Sequence, residues 1–226
     1  MNKIDKKPNY KEIYNFVKDS FNSTNHFYHG PFDETYYSLR VYESAKKIIS
    51  LLNKDISIQV ILVASLLHDI GKTKIKDHKV FSSNGKVDNA KEEWDKHPQL
   101  GVPISKKILK GLGHSEEFIA SVCYLIKNHD NRSGQIKNKS MELQILQDAD
   151  LIADCGFAGF IRPFLYGSKF KRNIIGCIKY MQNEVNQVEK EGLLNLEVSK
   201  IIAKIKMKLE HKLIKEISKD INSDLL

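Results

Sequence analysis

The sequence predicts an all-α protein, a helical bundle built around one very apolar helix. Three observations predict it. Apolar residues recur at spacings of three and four over most of the chain, good N-capping residues precede several of these runs, and no stretch gives a convincing strand signal. The 226 residues are 41% hydrophobic and 28% charged, which excludes a collagen-like repeat and a fully disordered chain. A single domain is expected over 1–226, with its core at about 33–170 and N- and C-terminal helices packed on it.

The elements follow in order. Residues 10–21 place Ile13, Phe16 and Val17 at helical spacing. A loop rich in Asn, His, Gly and Pro spans 22–31, and Asp33 caps a helix to about Leu52 with Leu39, Val41, Ala45, Ile48 and Ile49 inward. Residues 57–68 are the most apolar stretch and form the central buried helix. Residues 73–95 are polar and read as a long loop or lid, in which Val80 and Phe81 pair at most briefly as strand. Pro98 suits the first turn of a helix that stops at Gly111. Ser115 caps the next, with Glu116 and Glu117 favouring its dipole, and Ser140 starts another through Ala153. The pattern assigns no element to the Gly-rich, aromatic segment 156–170. Two helices finish the chain near 174–190 and 195–221, the last strongly amphipathic through Val198, Ile202, Ile205, Leu209, Leu213 and Ile217.

The net charge of +8 invites a nucleic-acid or membrane-surface partner. Only four of the 36 basic residues are Arg (Arg40, Arg132, Arg162, Arg172), whereas base readout and bidentate phosphate clamps favour Arg. A nucleic-acid partner is therefore disfavoured. No apolar run approaches the roughly 20 residues of a membrane span, and the charged N-terminus carries no secretory signal. Cys123, Cys155 and Cys177 form no CxxC pair and read as reduced thiols of a cytoplasmic protein.

The chemistry lies in the histidines and their carboxylate neighbours. In Leu66-Leu67-His68-Asp69-Ile70-Gly71-Lys72 an imidazole and a carboxylate close the most apolar helix, where unpaired polar groups are costly and a metal ion satisfies both. His97 stands at a helix start, His129 ends the Ser115 helix, and Asp148-Ala149-Asp150 interrupts an apolar helix. Two carboxylates two residues apart point to different faces, so at most one of Asp148 and Asp150 joins His68. Such a donor set suits one or two ions of Mn, Fe, Co, Ni or Zn, and tolerates Mg. Taken alone, His68-Asp69 is also compatible with an internally hydrogen-bonded pair, His97 with a helix cap, and His129 with a helix C-terminus. His78, His114 and His211 read as surface residues, and Trp94, Phe157, Phe160 and Phe164 as core or pocket wall.

The order His68-Asp69, His97, His129, Asp150 resembles the HD-domain metal-dependent phosphohydrolases. Arg40-Val41 with Ala45, the signature Ala64-Ser65-Leu66-Leu67-His68-Asp69-Ile70-Gly71-Lys72 and the terminal Gln147-Asp148-Ala149-Asp150-Leu151 all match in order, over roughly 33–166. Ala158-Gly159-Phe160-Ile161-Arg162 is similar to a segment of a bacterial and archaeal branch that includes nucleotide pyrophosphohydrolases. The resemblance implies an all-α bundle that hydrolyses a phosphate ester or pyrophosphate bond of a nucleotide or related small molecule. It implies metal binding by His68, Asp69 and Asp150, with Asp69 bridging to a second ion held by His97 and His129. Asp69 and Lys72 would be catalytic, and Lys72, Arg40, Arg132 and Arg162 would contact substrate phosphate.

One position departs from the pattern. The first ligand of the family is a His three residues before the Arg-Val pair, and here that residue is Tyr37. Three alternatives stay open: Tyr37 ligates weakly, His26 or His29 reaches in, or the principal site is degraded and the protein binds nucleotide without turnover. A di-iron oxygenase needs a complete two-metal centre, so Tyr37 counts against it. The terminal helix packs on the bundle or contributes to a homodimer.

Overall fold

The computed structural model describes residues 6–24, 30–76, 90–132, 136–169, 171–190 and 192–221. His26, His29, His78 and the pair Val80-Phe81 lie outside these residues, as does the middle of the expected lid. The described residues form an all-α bundle with no strand.

The helices are α1 (Tyr10–Asn22), α2 (Glu34–Ser50) and α3 (Ile58–Leu67), followed by a 3₁₀ turn (Ile70–Lys74). Then come α4 (Ala90–Trp94), α5 (His97–Gly111), α6 (Glu116–Asn128), α7 (Met141–Ala153), α8 (Phe157–Lys169), α9 (Ile174–Lys190) and α10 (Glu197–Asp220). α3 is the hub. It is buried continuously from Val60 to Leu67, and α1, α2, α6 and α7 pack around it. A helix apolar on every side must be enclosed in this way.

Local chemistry sets the boundaries. The Asp33 carboxylate accepts from the Thr35 and Tyr36 amides at 3.0 and 3.2 Å and starts α2. Ser115 and Ser140 do the same for α6 and α7, accepting from Phe118 N at 3.1 Å and Leu143 N at 3.2 Å. Asp148 and Asp150 part as helix geometry requires. Asp148 turns away from the histidines and accepts from the backbone amides of Asn195 and Leu196 at 2.8 and 2.9 Å, anchoring the entry to α10.

Two expectations change. The described ends of the stretch 73–95 are helical, as the 3₁₀ turn and α4, so the stretch is not one continuous loop. The Gly-rich segment folds as α8 with Pro163 inside it. Its glycines serve contact: a Cβ on Gly159 would come within 2.1 Å of the Asp154 carbonyl. α8 packs with α9 and α10 over a small second cluster of Ile178, Met181 and Ile214 beside the main core, with Phe160 and Phe164 against it. Phe157, in contrast, is 53% exposed and forms no core. His114 is buried and stacks on Phe118 at 4.8 Å between ring centroids, so it is not a surface residue, whereas His211 is exposed. Among the described residues no helix is long and apolar enough to cross a membrane.

Candidate metal centre

Three helix ends deliver three histidines to one point. His68 follows α3, His97 begins α5 and His129 follows α6, and all three are buried. The same device orients each ring: Nδ1 donates to the carbonyl three residues earlier, to Ser65 O at 2.9 Å, Trp94 O at 2.8 Å and Ile126 O at 2.7 Å. A carbonyl only accepts, so each Nδ1 carries a proton and each ring turns its Nε2 inward, where a proton or a metal ion can sit. That is how metal-binding imidazoles are commonly held.

The inward atoms crowd together. His97 Nε2 and His129 Nε2 lie 3.1 Å apart. His68 Nε2 is 3.2 Å from Asp69 Oδ2 and 3.3 Å from Asp150 Oδ1, and it makes no hydrogen bond. Asp69 Oδ1 is 3.1 Å from His97 Nε2 and 3.6 Å from His129 Nε2. Buried lone pairs aimed at one another repel unless a proton or a cation lies between them. The residues present therefore fit a divalent cation, and two groups among the described residues can hold one: His68, Asp69 and His129, and His97, His129 and Asp130.

The approach to this point depends on Gly71. A Cβ there would lie 1.9 Å from the His97 carbonyl and 2.5 Å from Gly101 N, both backbone atoms. Only glycine lets the turn after His68-Asp69 sit against the start of α5. The His-Asp-Ile-Gly spacing is thus what brings His97 to His68.

Charges around the carboxylates are arranged in pairs. Lys72 Nζ is 2.6 Å from Asp69 Oδ2 and 3.4 Å from Glu34 Oε2. Burial opposes the charge on Lys72, but Asp69 and Glu34 outweigh it and hold the ammonium protonated above its ordinary value. Burial likewise opposes the charge on Asp69, and His68 and Lys72 keep it well below the usual carboxylate range. For His68, burial lowers the imidazole but Asp69 and Asp150 push it up to about 10. Asp150 accepts from the Tyr37 phenol through Oδ1 at 2.7 Å and from Arg132 through Oδ2 at 2.5 Å. Burial and the nearby Asp150 raise Tyr37 well above an ordinary phenol, so it acts here as a neutral donor.

A cavity of about 430 Å³ opens over this point. Asp69, His97, Asp130 and Asp150 reach it from the histidine side. Of the expected substrate contacts, Lys72 and Arg162 line it, but Arg40 and Arg132 do not. Arg132 is held by Asp150 and the Gln147 carbonyl, and Arg40 donates to Pro31 O while stacking near Phe32 and Tyr37. Even Arg162 is largely engaged, with Asp154 at 2.9 Å and the Phe32 carbonyl at 3.1 Å, its guanidinium 4.3 Å over the Tyr37 ring. Sequence reasoning missed Glu34, Asp130, Tyr166 and Arg172, all of which face the cavity. Asp130 directly follows His129 and could have been found by its place at the end of α6. Arg172 and Tyr166 carried no such signal. Trp94 lines the wall as expected, with Lys72 Nζ 4.9 Å from its ring.

A bundle whose helix ends gather His-Asp, two further His and a last Asp defines a family. The HD domain model matches residues 36–153, more than half of the chain, and the chain belongs to the HD domain family. No curated protein matches the sequence. Among solved structures, YpgQ of Bacillus subtilis in complex with ADP superposes with a TM-score of 0.64 at 17% identity, over 94% of this chain and 98% of that one. Lin1889 of Listeria innocua gives 0.60 at 22% identity over 95% and 98%. An HD-superfamily hydrolase of Bacillus thuringiensis gives 0.62 at 19% identity over 94% and 96%. At these identities the likeness is one of fold.

Proposed function

We propose that the protein is a metal-dependent phosphohydrolase that cleaves a phosphate ester or pyrophosphate bond of a nucleotide or a related small molecule. The observation that carries this reading is the convergence of three Nε2 atoms and two carboxylates at the wall of a cavity that also presents Lys72. The ADP complex of YpgQ, a protein of the same fold, supports a nucleotide as the substrate class. The free thiols Cys123, Cys155 and Cys177 accord with a cytoplasmic setting.

His68, Asp69, His97, His129 and Asp150 would hold one or two divalent ions of Mn, Fe, Co, Ni, Zn or Mg. A bound ion would supply Lewis acidity, making water nucleophilic near neutral pH and offsetting phosphate charge. The chain's own residues then position the substrate, which is most of what phosphoryl transfer requires. Lys72, fixed by Asp69 and Glu34, presents an ammonium to the cavity where phosphate oxygens would lie. Asp69, kept ionised by His68 and Lys72, would hold and orient a bound ion and its water. Arg162 stiffens the wall by tying α8 to the loop before α2, and its partners leave it a secondary role toward substrate.

The test is a hydrolysis screen of nucleoside mono-, di- and triphosphates with metal-free protein and each divalent ion in turn. Release of phosphate or pyrophosphate with at least one ion is expected, and its loss in His68→Ala and Asp69→Ala. No turnover under any ion would sink the enzyme reading. A second reading, a nucleotide-binding protein without turnover, is favoured by Tyr37 in the place of an imidazole. It predicts nucleotide binding without hydrolysis, and hydrolysis emerging in Tyr37→His.

A further inference from the structure

The centre has two unequal halves. On the His68 side every carboxylate oxygen already accepts a short bond: Asp69 Oδ2 from Lys72 at 2.6 Å, Asp150 Oδ1 from Tyr37 at 2.7 Å and Asp150 Oδ2 from Arg132 at 2.5 Å. Two of those donors are cations, and they oppose the approach of a third positive charge. Asp150 belongs to neither group of mutually close donors.

The His97 side differs. Asp130 Oδ2 is 3.4 Å from His97 Nε2, and Asp130 Oδ1 is 3.6 Å from His129 Nε2. Both imidazoles also face Asp69 Oδ1, at 3.1 and 3.6 Å. No Lys or Arg among the described residues lies within ion-pair distance of Asp130 or of Asp69 Oδ1; Lys72, on the other Asp69 oxygen, feels Asp130 from further away. Two donors each about 2.1 Å from one ion, at a tetrahedral or octahedral angle, stand about 3.0–3.4 Å apart. The separations among His97 Nε2, His129 Nε2 and Asp69 Oδ1, 3.1, 3.1 and 3.6 Å, are close to the edges of one such polyhedron, and Asp130 flanks both imidazoles, one with each oxygen. The loop that presents Asp130 is also fixed. The buried amide of Gln147 donates to the carbonyls of Asn128 and Asn131, on either side of His129-Asp130, at 3.1 and 3.0 Å. The Asp130 side chain remains 44% exposed toward the cavity, which leaves a path for an ion.

We propose that Asp130 is a metal ligand, and that His97, His129, Asp69 and Asp130 hold the tighter-bound divalent ion of this protein. Asp150 is then chiefly the partner of Tyr37 and Arg132, a positioning residue at the weaker half. The inference rests on the reading of the chain as a metal-binding protein and specifies which donors dominate.

The test is titration of metal-free full-length protein with Co(II), followed by calorimetry and by visible absorption, which reports the ligand set directly. Asp130→Asn is expected to weaken the tighter event by about ten-fold or more and to change its spectrum. Asp150→Asn is expected to leave that event within about three-fold of wild type. An unchanged dissociation constant in Asp130→Asn overturns the inference while leaving metal binding in place. Loss of the tighter event in a folded Asp150→Asn also overturns it. Should Asp150→Asn fail to fold by circular dichroism, the Asp130→Asn titration decides alone. Wild-type protein that binds no Co(II), Mn(II) or Zn(II) would overturn both this inference and the metal-dependent activity.

Discussion

The Tyr37 hydroxyl lies 2.7 Å from Asp150 Oδ1 and 2.8 Å from the Asp150 carbonyl, joining α2 to α7 at the position where the family's pattern has an imidazole. The polar end of α2 is buried here: Glu34, Thr35, Tyr37 and Ser38 all lie inside, and Tyr37 sits between the Arg162 guanidinium and Asp150. A side chain with one proton to give has replaced one with a lone pair to offer. The consequence is structural first and chemical second.

Tyr37→Phe should therefore destabilise the fold. It removes the donor from a buried carboxylate and leaves the ring in place. Losing one partner of a buried hydrogen bond costs about 1–3 kcal/mol. A shift of the urea midpoint to lower concentration with an unchanged slope is expected. An unmoved midpoint would mean that Arg132 alone satisfies Asp150.

Gly71→Ala should be far more damaging than its size implies. The added methyl would meet backbone on the opposing segment, which no side-chain rotation relieves. Either α5 moves away from the 3₁₀ turn or the turn distorts, and in both cases His97 separates from Asp69. The cost is expected at about 3 kcal/mol or more, in the range of severe overpacking and backbone strain. Reduced affinity for divalent ions should accompany it. Calorimetric unfolding combined with a metal titration checks both, and wild-type values in either measurement would refute the packing argument.

Much of this was legible in the sequence because it is local. The caps at Asp33, Ser115 and Ser140 act over two or three residues, so spacing alone exposes them. The division of labour between Asp148 and Asp150 follows from helix geometry and needs no tertiary knowledge. What stayed hidden depends on residues distant in the chain. Arg132 looked like a substrate contact by its nearness to the motifs, but Asp150, 18 residues later, takes its charge. Arg40 is likewise turned toward Phe32, Tyr37 and the Pro31 carbonyl. The helical state of Phe157–Lys169 was obscured by glycine and proline, whose roles are close approach and contact with α9 and α10. Asp130 is overshadowed in the sequence by its neighbour His129, which accounts for the motif by itself.

Asp148→Ala provides a control for the acidic pair. Its carboxylate accepts from two backbone amides and from the Asn195 side chain at the entry to α10, and is fully buried. Loss of such a cap costs about 1–2 kcal/mol, with more for the buried amides left unpaired. Lower thermal stability with wild-type affinity for Co(II) is expected. A large loss of metal affinity in Asp148→Ala would show that the two neighbouring carboxylates are not separated in function.

Metal removal should expose how much of the fold the ion sustains. His68, Asp69, His97 and His129 come from three separate places in the chain, the link between α3 and the 3₁₀ turn, the start of α5 and the end of α6. Without an ion, their inward lone pairs and carboxylates face one another at 3.1–3.6 Å and must be kept apart by protons. A ligand that binds only the folded state at a hundred times its dissociation constant stabilises by about 2.7 kcal/mol. For a chain of this size each kcal/mol moves the melting temperature by about 2–4 °C. Stripping the protein with a chelator should thus lower Tm by about 5–10 °C, and adding back Co(II) or Mn(II) should restore it. His97→Ala should lose most of this ion-dependent shift, since only the weaker half at His68 would still hold an ion. A wild-type protein whose Tm is indifferent to chelator and to added ion would remove the physical basis for placing a cation among these histidines.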